Sequence, residues 1–291
     1  MKLALTKLAR YPAPVRIAAF LLLLALLWLP IALPVYGFVK DSNTVSIVTL
    51  LALYIEFIFL VRVWGKRVYG QADLLWRYGL ERSQRMAIEL AIGLVIGCAA
   101  VFALFATQTA FGWITWQVPS SALVRIAAEG LLVSLGFGFA EELLFRGWLL
   151  DELQRDYASS VALWVDATIF ALVHGLRPQF PALVLLAVTL IWAKRSRTDS
   201  GSTMRLSGKE RPYQWLNVPR GRLGLPMGLH AGLVWGYYMV NVGQLIRYVP
   251  QAPAWLSGID HNPLAGAIGF LFMGVLALGM WRYAKRPRVA H

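Results

Sequence analysis

One cysteine in 291 residues removes two possibilities at once. Cys98 has no second cysteine with which to form an internal disulfide, and no cysteine cluster can hold a metal. Acid is also scarce: 15 Asp and Glu stand against 28 Lys and Arg, for a net charge of +13. Polar length is scarcer still. Hydrophobic residues make up 58% of the chain, and the one long break in the apolar pattern is 194–223, KRSRTDSGSTMRLSGKERPYQWLNVPRGRL. Nothing is left over for a soluble domain, no internal repeat is visible, and no HExxH pattern places a zinc-activated water on a helix in the usual soluble manner.

What is there is membrane-like. Apolar runs stand near 17–39, 44–63, 87–106, 123–150, 159–176, 180–193, 225–245 and 264–283, most of them near the ~20 residues a bilayer requires. They predict an all-α, polytopic membrane helix bundle of about eight transmembrane helices forming a single domain over 1–291, with 180–193 the shortest span. The first run contains Pro30 and Pro34 and no A-x-A cleavage pattern, so it reads as a retained helix rather than a signal peptide. The connector 64–85 carries Leu74, Leu75, Trp76 and Tyr78 among its charges and reads as a short interfacial helix.

The cations decide the topology. Lys2, Lys7, Arg10 and Arg16 precede the first span, and Arg62, Lys66, Arg67, Arg77, Arg82 and Arg85 lie between the second and third. A third group, from Lys194 to Arg222, follows the sixth, and Arg282, Lys285, Arg286 and Arg288 close the chain. With eight spans these all fall on one side, which predicts an integral membrane protein with both termini cytoplasmic. The same bias accounts for the basic charge without nucleic acid, and the partner it implies is the lipid bilayer.

Within the run 123–150 the stretch GFAEELLFRGWLL carries Glu141, Glu142 and Arg146, charges that are costly in a bilayer unless paired or hydrated. On a helix, residues four apart are about 40° apart around the axis and residues five apart about 140°. Glu142 therefore shares a face with Arg146 and can pair with it, whereas Glu141 has no local partner. Two histidines also stand in apolar surroundings, His174 in FALVHG and His230 in GLHAGLVWG.

The midpoint between Glu141 and His174 falls between Tyr157 and Ala158, in the polar stretch DELQRDYASS. A helical hairpin turning there has arms of about 16 residues, roughly 24 Å each, which sets Glu141 and His174 at one level. The arms are expected to protrude into the cytoplasm through Asp151, Glu152, Arg155 and Asp156, with His230 about 10 Å below the same surface. A carboxylate and imidazoles at one depth suit hydrolysis, because the carboxylate can take a proton from water and the rings can orient that water or stabilise an oxyanion. The same three groups are ordinary ligands for a divalent metal such as zinc.

These residues resemble the CPBP family of intramembrane proteases, which includes type II CAAX-prenyl endopeptidases and bacterial Abi-type proteins. The family pattern is EExxxR, then FxxxH, then a His opening HxxxN or HxxxD. EELLFR at Glu141 to Arg146 and FALVH at Phe170 to His174 match in full, while HAGLV at His230 has Val234 where the polar residue stands. The resemblance covers roughly 120–245 as the catalytic core. It implies an intramembrane endopeptidase acting on a membrane-associated peptide or protein near the cytoplasmic face, with CAAX-type processing as one form of that activity. Glu141 would be the general base, Glu142, Arg146 and Phe170 would support the site, His174 would position the water, and His230 would serve the oxyanion. Many members are labelled metalloproteases, and any metal would fall to Glu141, His174 and His230. Asn241 shares a helical face with His230 but lies about 16 Å further along the axis.

Two rival readings attach to the same residues. A non-catalytic membrane scaffold or bacteriocin-immunity-like protein would keep the polar groups for helix packing, and Val234 favours it. A proton-coupled transporter would use Asp166 and His174, which share a face with Phe170, as a relay. The interrupted paired helices of transporters are missing.

Overall fold

The computed structural model describes residues 6–195 and 221–285. In chain order its helices are α1 (Ala13–Phe38), α2 (Ser42–Trp64), α3 (Leu74–Arg77), α4 (Gln84–Ala110), α5 (Leu123–Glu142), α6 (Leu150–Gln154), α7 (Ser159–Val173), α8 (Phe180–Arg195), α9 (Gly224–Val242), α10 (Ala254–Ser257) and α11 (Ala267–Lys285). π-helical turns follow α2 at Gly65–Tyr69 and α5 at Leu143–Leu149. The protein is an all-α membrane-helix bundle, and every apolar run in the sequence becomes a helix.

The count of eight spans is not confirmed. Among the described residues five helices are long and apolar enough to cross a membrane: Ala13–Phe38, Thr44–Tyr69, Gln84–Ala110, Leu123–Gln154 and Ala267–Lys285. With 15 and 16 residues, α7 and α8 reach only about 24 Å against a hydrocarbon thickness of about 30 Å. α9 has 19 residues but dilutes its apolar character with glycine. The basic loop expected over 194–223 falls at 196–220 outside the described residues.

The chain divides into two compact units. The first, Met1–Arg77 with Asp151–Tyr157, packs α1 against α2. Phe20 meets Phe57 and Trp64 edge-on, with ring centroids 5.8 and 5.4 Å away, and the Trp28 indole donates to the Thr49 carbonyl. Asp41 caps α2 by accepting from the Thr44 amide. The four-residue α3 is the short helix expected in the 64–85 connector; it buries Leu74 and exposes Trp76.

Of the charges of 151–156, Asp151, Glu152 and the Arg155 side chain are enclosed, and Asp156 is exposed. Arg16, buried on α1, donates to Glu152 at 3.0 Å and to Asp156 at 3.1 Å. The Tyr69 hydroxyl donates to Glu152 at 2.6 Å, Asp151 takes Arg77 at 2.8 Å and Arg155 at 2.6 Å, and Arg155 lies over the Tyr69 ring. Two expected surface cations, Arg16 and Arg77, thus serve this network.

In the second unit, Tyr78–Leu150 with Ala158–His291, glycine sets the packing. α9 carries Gly224, Gly228, Gly232 and Gly236 at four-residue spacing along one face. A Cβ on Gly224, Gly228 or Gly232 would overlap the carbonyls of Met86, Leu90 or Leu94 on α4, and one on Gly93 or Gly97 would overlap Leu225 or Leu229 of α9. Backbone therefore meets backbone, the small-residue mode of membrane helix association. On α5, Gly138 lies against the Met227 carbonyl and Ala231, so α9 contacts both α4 and α5.

Two features of this unit were not expected. Ile114–Trp116 (β1) pairs antiparallel with Ile246–Tyr248 (β2), Ile114 opposite Tyr248, and Ile114 is buried with Leu104, Phe105 and Val240. At the other end, Gly221 backs directly onto the Lys194 carbonyl, the Leu223 amide donates to Gly79, and buried Arg222 grips Glu89 through Nε and Nη2.

Candidate active site

Glu141 and Glu142 end α5, and Arg146 follows in the π-helical turn. Glu142 Oε1 accepts from Arg146 Nη1 at 3.1 Å, with both side chains fully buried. This is the local pair expected from the four-residue spacing. Glu142 does more than pair, because the same Oε1 stands 2.9 Å from Nδ1 of His230 on α9.

Glu141 points elsewhere. Its Oε2 is 3.7 Å from His174 Nε2 and 3.9 Å from His230 Nε2, and it has no hydrogen-bond partner. The structure thus brings Glu141, His174 and His230 to one place. His174 comes from the C-terminal end of α7, and Gly175 turns the chain away with a φ of 92° that favours glycine. His230 comes from the second turn of α9, next to the Ala231 that Gly138 approaches.

Each ring is held in a definite protonation pattern. His174 Nδ1 is 2.7 Å from the Phe170 carbonyl, and His230 Nδ1 faces a carboxylate. These oxygens accept, so each Nδ1 carries a proton, and each ring turns its Nε2 toward Glu141. A water between them can donate one hydrogen to Glu141 Oε2 and the other to a facing ring nitrogen. Side-chain exposures of 33% for His174, 19% for Glu141 and 7% for His230 leave the first two reachable from outside while His230 is enclosed.

Phe170 is the plate behind these groups. Fully buried, it carries the Arg146 guanidinium over its ring at 4.3 Å, with the His174, Phe145 and His230 rings at 4.6, 5.1 and 6.1 Å. Its carbonyl orients His174 while its ring supports Arg146. Asn241 lies apart, exposed, donating to the Tyr237 carbonyl, and Val234 is half-buried on α9.

Two further residues take part: Asp166, expected from the sequence only as a relay partner of His174, and Lys194. Asp166 on α7 is fully buried with Oδ1 4.0 Å from Arg146 Nε; its place one turn before Phe170 was the available signal. Lys194, read as a loop cation, is buried and donates from Nζ to the Arg146 carbonyl at 2.6 Å. Nothing in its local sequence separates it from its basic neighbours.

Zinc suits the donor set chemically. Even so, among the described residues no three His, Cys, Asp or Glu side chains are grouped so as to hold a metal ion. The Glu141 and histidine separations exceed those of ligands sharing one ion directly.

The family model described as type II CAAX prenyl endopeptidase Rce1-like matches residues 123–204. That stretch runs from the start of α5 past the end of α8, and so contains Glu141, Glu142, Arg146, Asp166, Phe170 and His174, with His230 beyond it. The match covers less than a third of the chain, and that segment, with its EExxxR and FxxxH motifs, is similar to type II CAAX prenyl endopeptidases. No curated protein and no solved structure matches the chain.

Proposed function

We propose that this protein is an intramembrane endopeptidase in which Glu141 activates a water for attack on a peptide bond. The observation that carries the reading is the approach of two imidazole Nε2 atoms to one carboxylate oxygen, at 3.7 and 3.9 Å. A water held there at about 2.8 Å from its partners gives a proton to Glu141 as its oxygen bonds to the substrate carbonyl carbon. His174 accepts the second hydrogen of that water and so aims its lone pair. In its doubly protonated form, charged from solvent before substrate binds, His230 keeps Nδ1–H on Glu142 and presents Nε2–H to the oxyanion. Glu141 then returns its proton to the departing amine as the C–N bond breaks.

The substrate we propose is a membrane-associated peptide, and the family description makes a C-terminal prenylcysteine peptide the first probe. Full-length protein in nanodiscs is expected to cleave such a fluorogenic peptide, and Glu141→Gln to lose at least ~10²-fold in rate. Cleavage undiminished in Glu141→Gln would remove Glu141 from the mechanism. Val234, apolar at the position where the resemblance calls for a polar residue, favours the rival scaffold reading. No cleavage of prenylated, unprenylated or transmembrane peptides would decide for the scaffold.

A further inference from the structure

Behind the site, four strongly hydrogen-bonding atoms have no protein partner: Nε and Nη2 of Arg146, and both carboxylate oxygens of Asp166. Both side chains are completely buried, and their closest approach is 4.0 Å. That is too long for a hydrogen bond and well within Coulombic reach. Buried polar atoms of this kind are met by internal water. The rest of the guanidinium is committed, with Nη1 on Glu142 and its carbon over Phe170. Arg146 therefore stands between two carboxylates, one on the site side and one behind. Lys194 completes the cluster, so two buried acids meet two buried bases.

We propose that Asp166 is a positioning residue for the water-activating site, an inference that rests on the function proposed above. With Asp166 behind it, the guanidinium is shared, and touches Glu142 through one nitrogen. Glu142 Oε1 then accepts from Arg146 Nη1 and His230 Nδ1 together, while Glu142 Oε2 has no hydrogen-bond partner. Without the charge of Asp166, the guanidinium turns its uncommitted Nε and Nη2 edge onto Glu142 and forms the two-pronged pair these groups prefer. The carboxylate is drawn off His230, the ring loses the acceptor that fixes its tautomer, and Nε2 carries the proton in part of the population. The ring then loses the anchor that aims Nε2 into the site.

The test reads the ring directly. Full-length protein labelled with nitrogen-15 histidine is examined in nanodiscs at alkaline pH, where the ring is neutral, and His230 is assigned by the signal lost in His230→Gln. Wild type is expected to show His230 protonated at Nδ1 alone, and Asp166→Asn a mixture of both tautomers at a nearly unchanged melting temperature. On the prenylcysteine peptide, kcat is expected to fall roughly 10-fold, with KM within about 2-fold, in the range seen when outer partners of catalytic groups are removed. A folded Asp166→Asn protein that keeps the single Nδ1–H tautomer overturns the proposal. Should that variant fail to fold, Asp166→Ser, which leaves room for an added water, is read the same way. Failure of both to fold makes Asp166 a structural residue and also overturns it. The spectrum needs no turnover, so a protein that cleaves nothing would sink the protease reading and leave the tautomer result to decide on Asp166.

Discussion

Glu142 and His230, 88 residues apart in the chain, are joined by a 2.9 Å hydrogen bond inside the bundle. Glu142 is thus both the counter-charge of Arg146 and the acceptor that orients His230, and its two roles can be separated from that of Glu141.

Glu141→Gln removes a group that has no hydrogen-bond partner at Oε2, so its melting temperature should match wild type while peptide cleavage falls by at least ~10²-fold. Glu142→Gln should lower both the melting temperature and the cleavage rate, because one substitution disturbs Arg146 and His230 together. Thermal melts and rates on the same two preparations check this. Equal behaviour of the two variants would contradict it.

Arg146→Leu should be costlier to the fold than Glu142→Gln. It leaves Glu142 and Asp166 buried without their shared cation, on the order of 3–5 kcal/mol by the usual cost of breaking a buried pair. It also strips the face of Phe170. Denaturation in mixed micelles, with Arg146→Lys as the charge-keeping comparison, measures the difference.

The α4–α9 contact predicts a contrast between glycines. Gly228→Ala would drive a methyl into the Leu90 carbonyl and should destabilise the protein by at least ~1 kcal/mol, the lower end for overpacking. Gly274 on α11 has nothing within 4 Å of a built Cβ, and Gly274→Ala should be neutral or stabilising by up to ~1 kcal/mol from helix propensity. Melting temperatures of the pair decide.

Because β1 pairs with β2, reporter fusions near Gln108 and Ala252 must read the same side of the membrane. On the eight-span topology expected from the cations, that side should read external, and fusions after Arg85, at Lys209 and at the C-terminus should read cytoplasmic. An external signal at Lys209 would reverse the assignment.

Helix positions were legible because apolar runs of this length have one solution in a bilayer. Legible too was the common level of Glu141 and His174, since rise per residue converts chain distance into depth. The strands were not, because three residues carry no period. The glycine ladder on α9 is visible at four-residue spacing, but the spacing does not say which helix it faces. The charges at 151–156 were misread for a deeper reason: composition gives a charge but not its partner, and Arg16 lies 136 residues from Glu152. Asp166 belongs to the same class, since its meaning comes from an arginine on another helix.

The backbone at Lys194 and at Gly221 is in direct contact, and each junction has its own anchor, Lys194 on the Arg146 carbonyl and Arg222 on Glu89. The folded framework has, in effect, a hem at this place. Closing a connection between two points already held together costs only about 0.6 kcal/mol more for each doubling of its length. Lengthening the connection between Arg195 and Gly221 should therefore cost the bundle little. A purification handle or a fluorescent domain spliced between Arg195 and Gly221 has its attachment points already fixed.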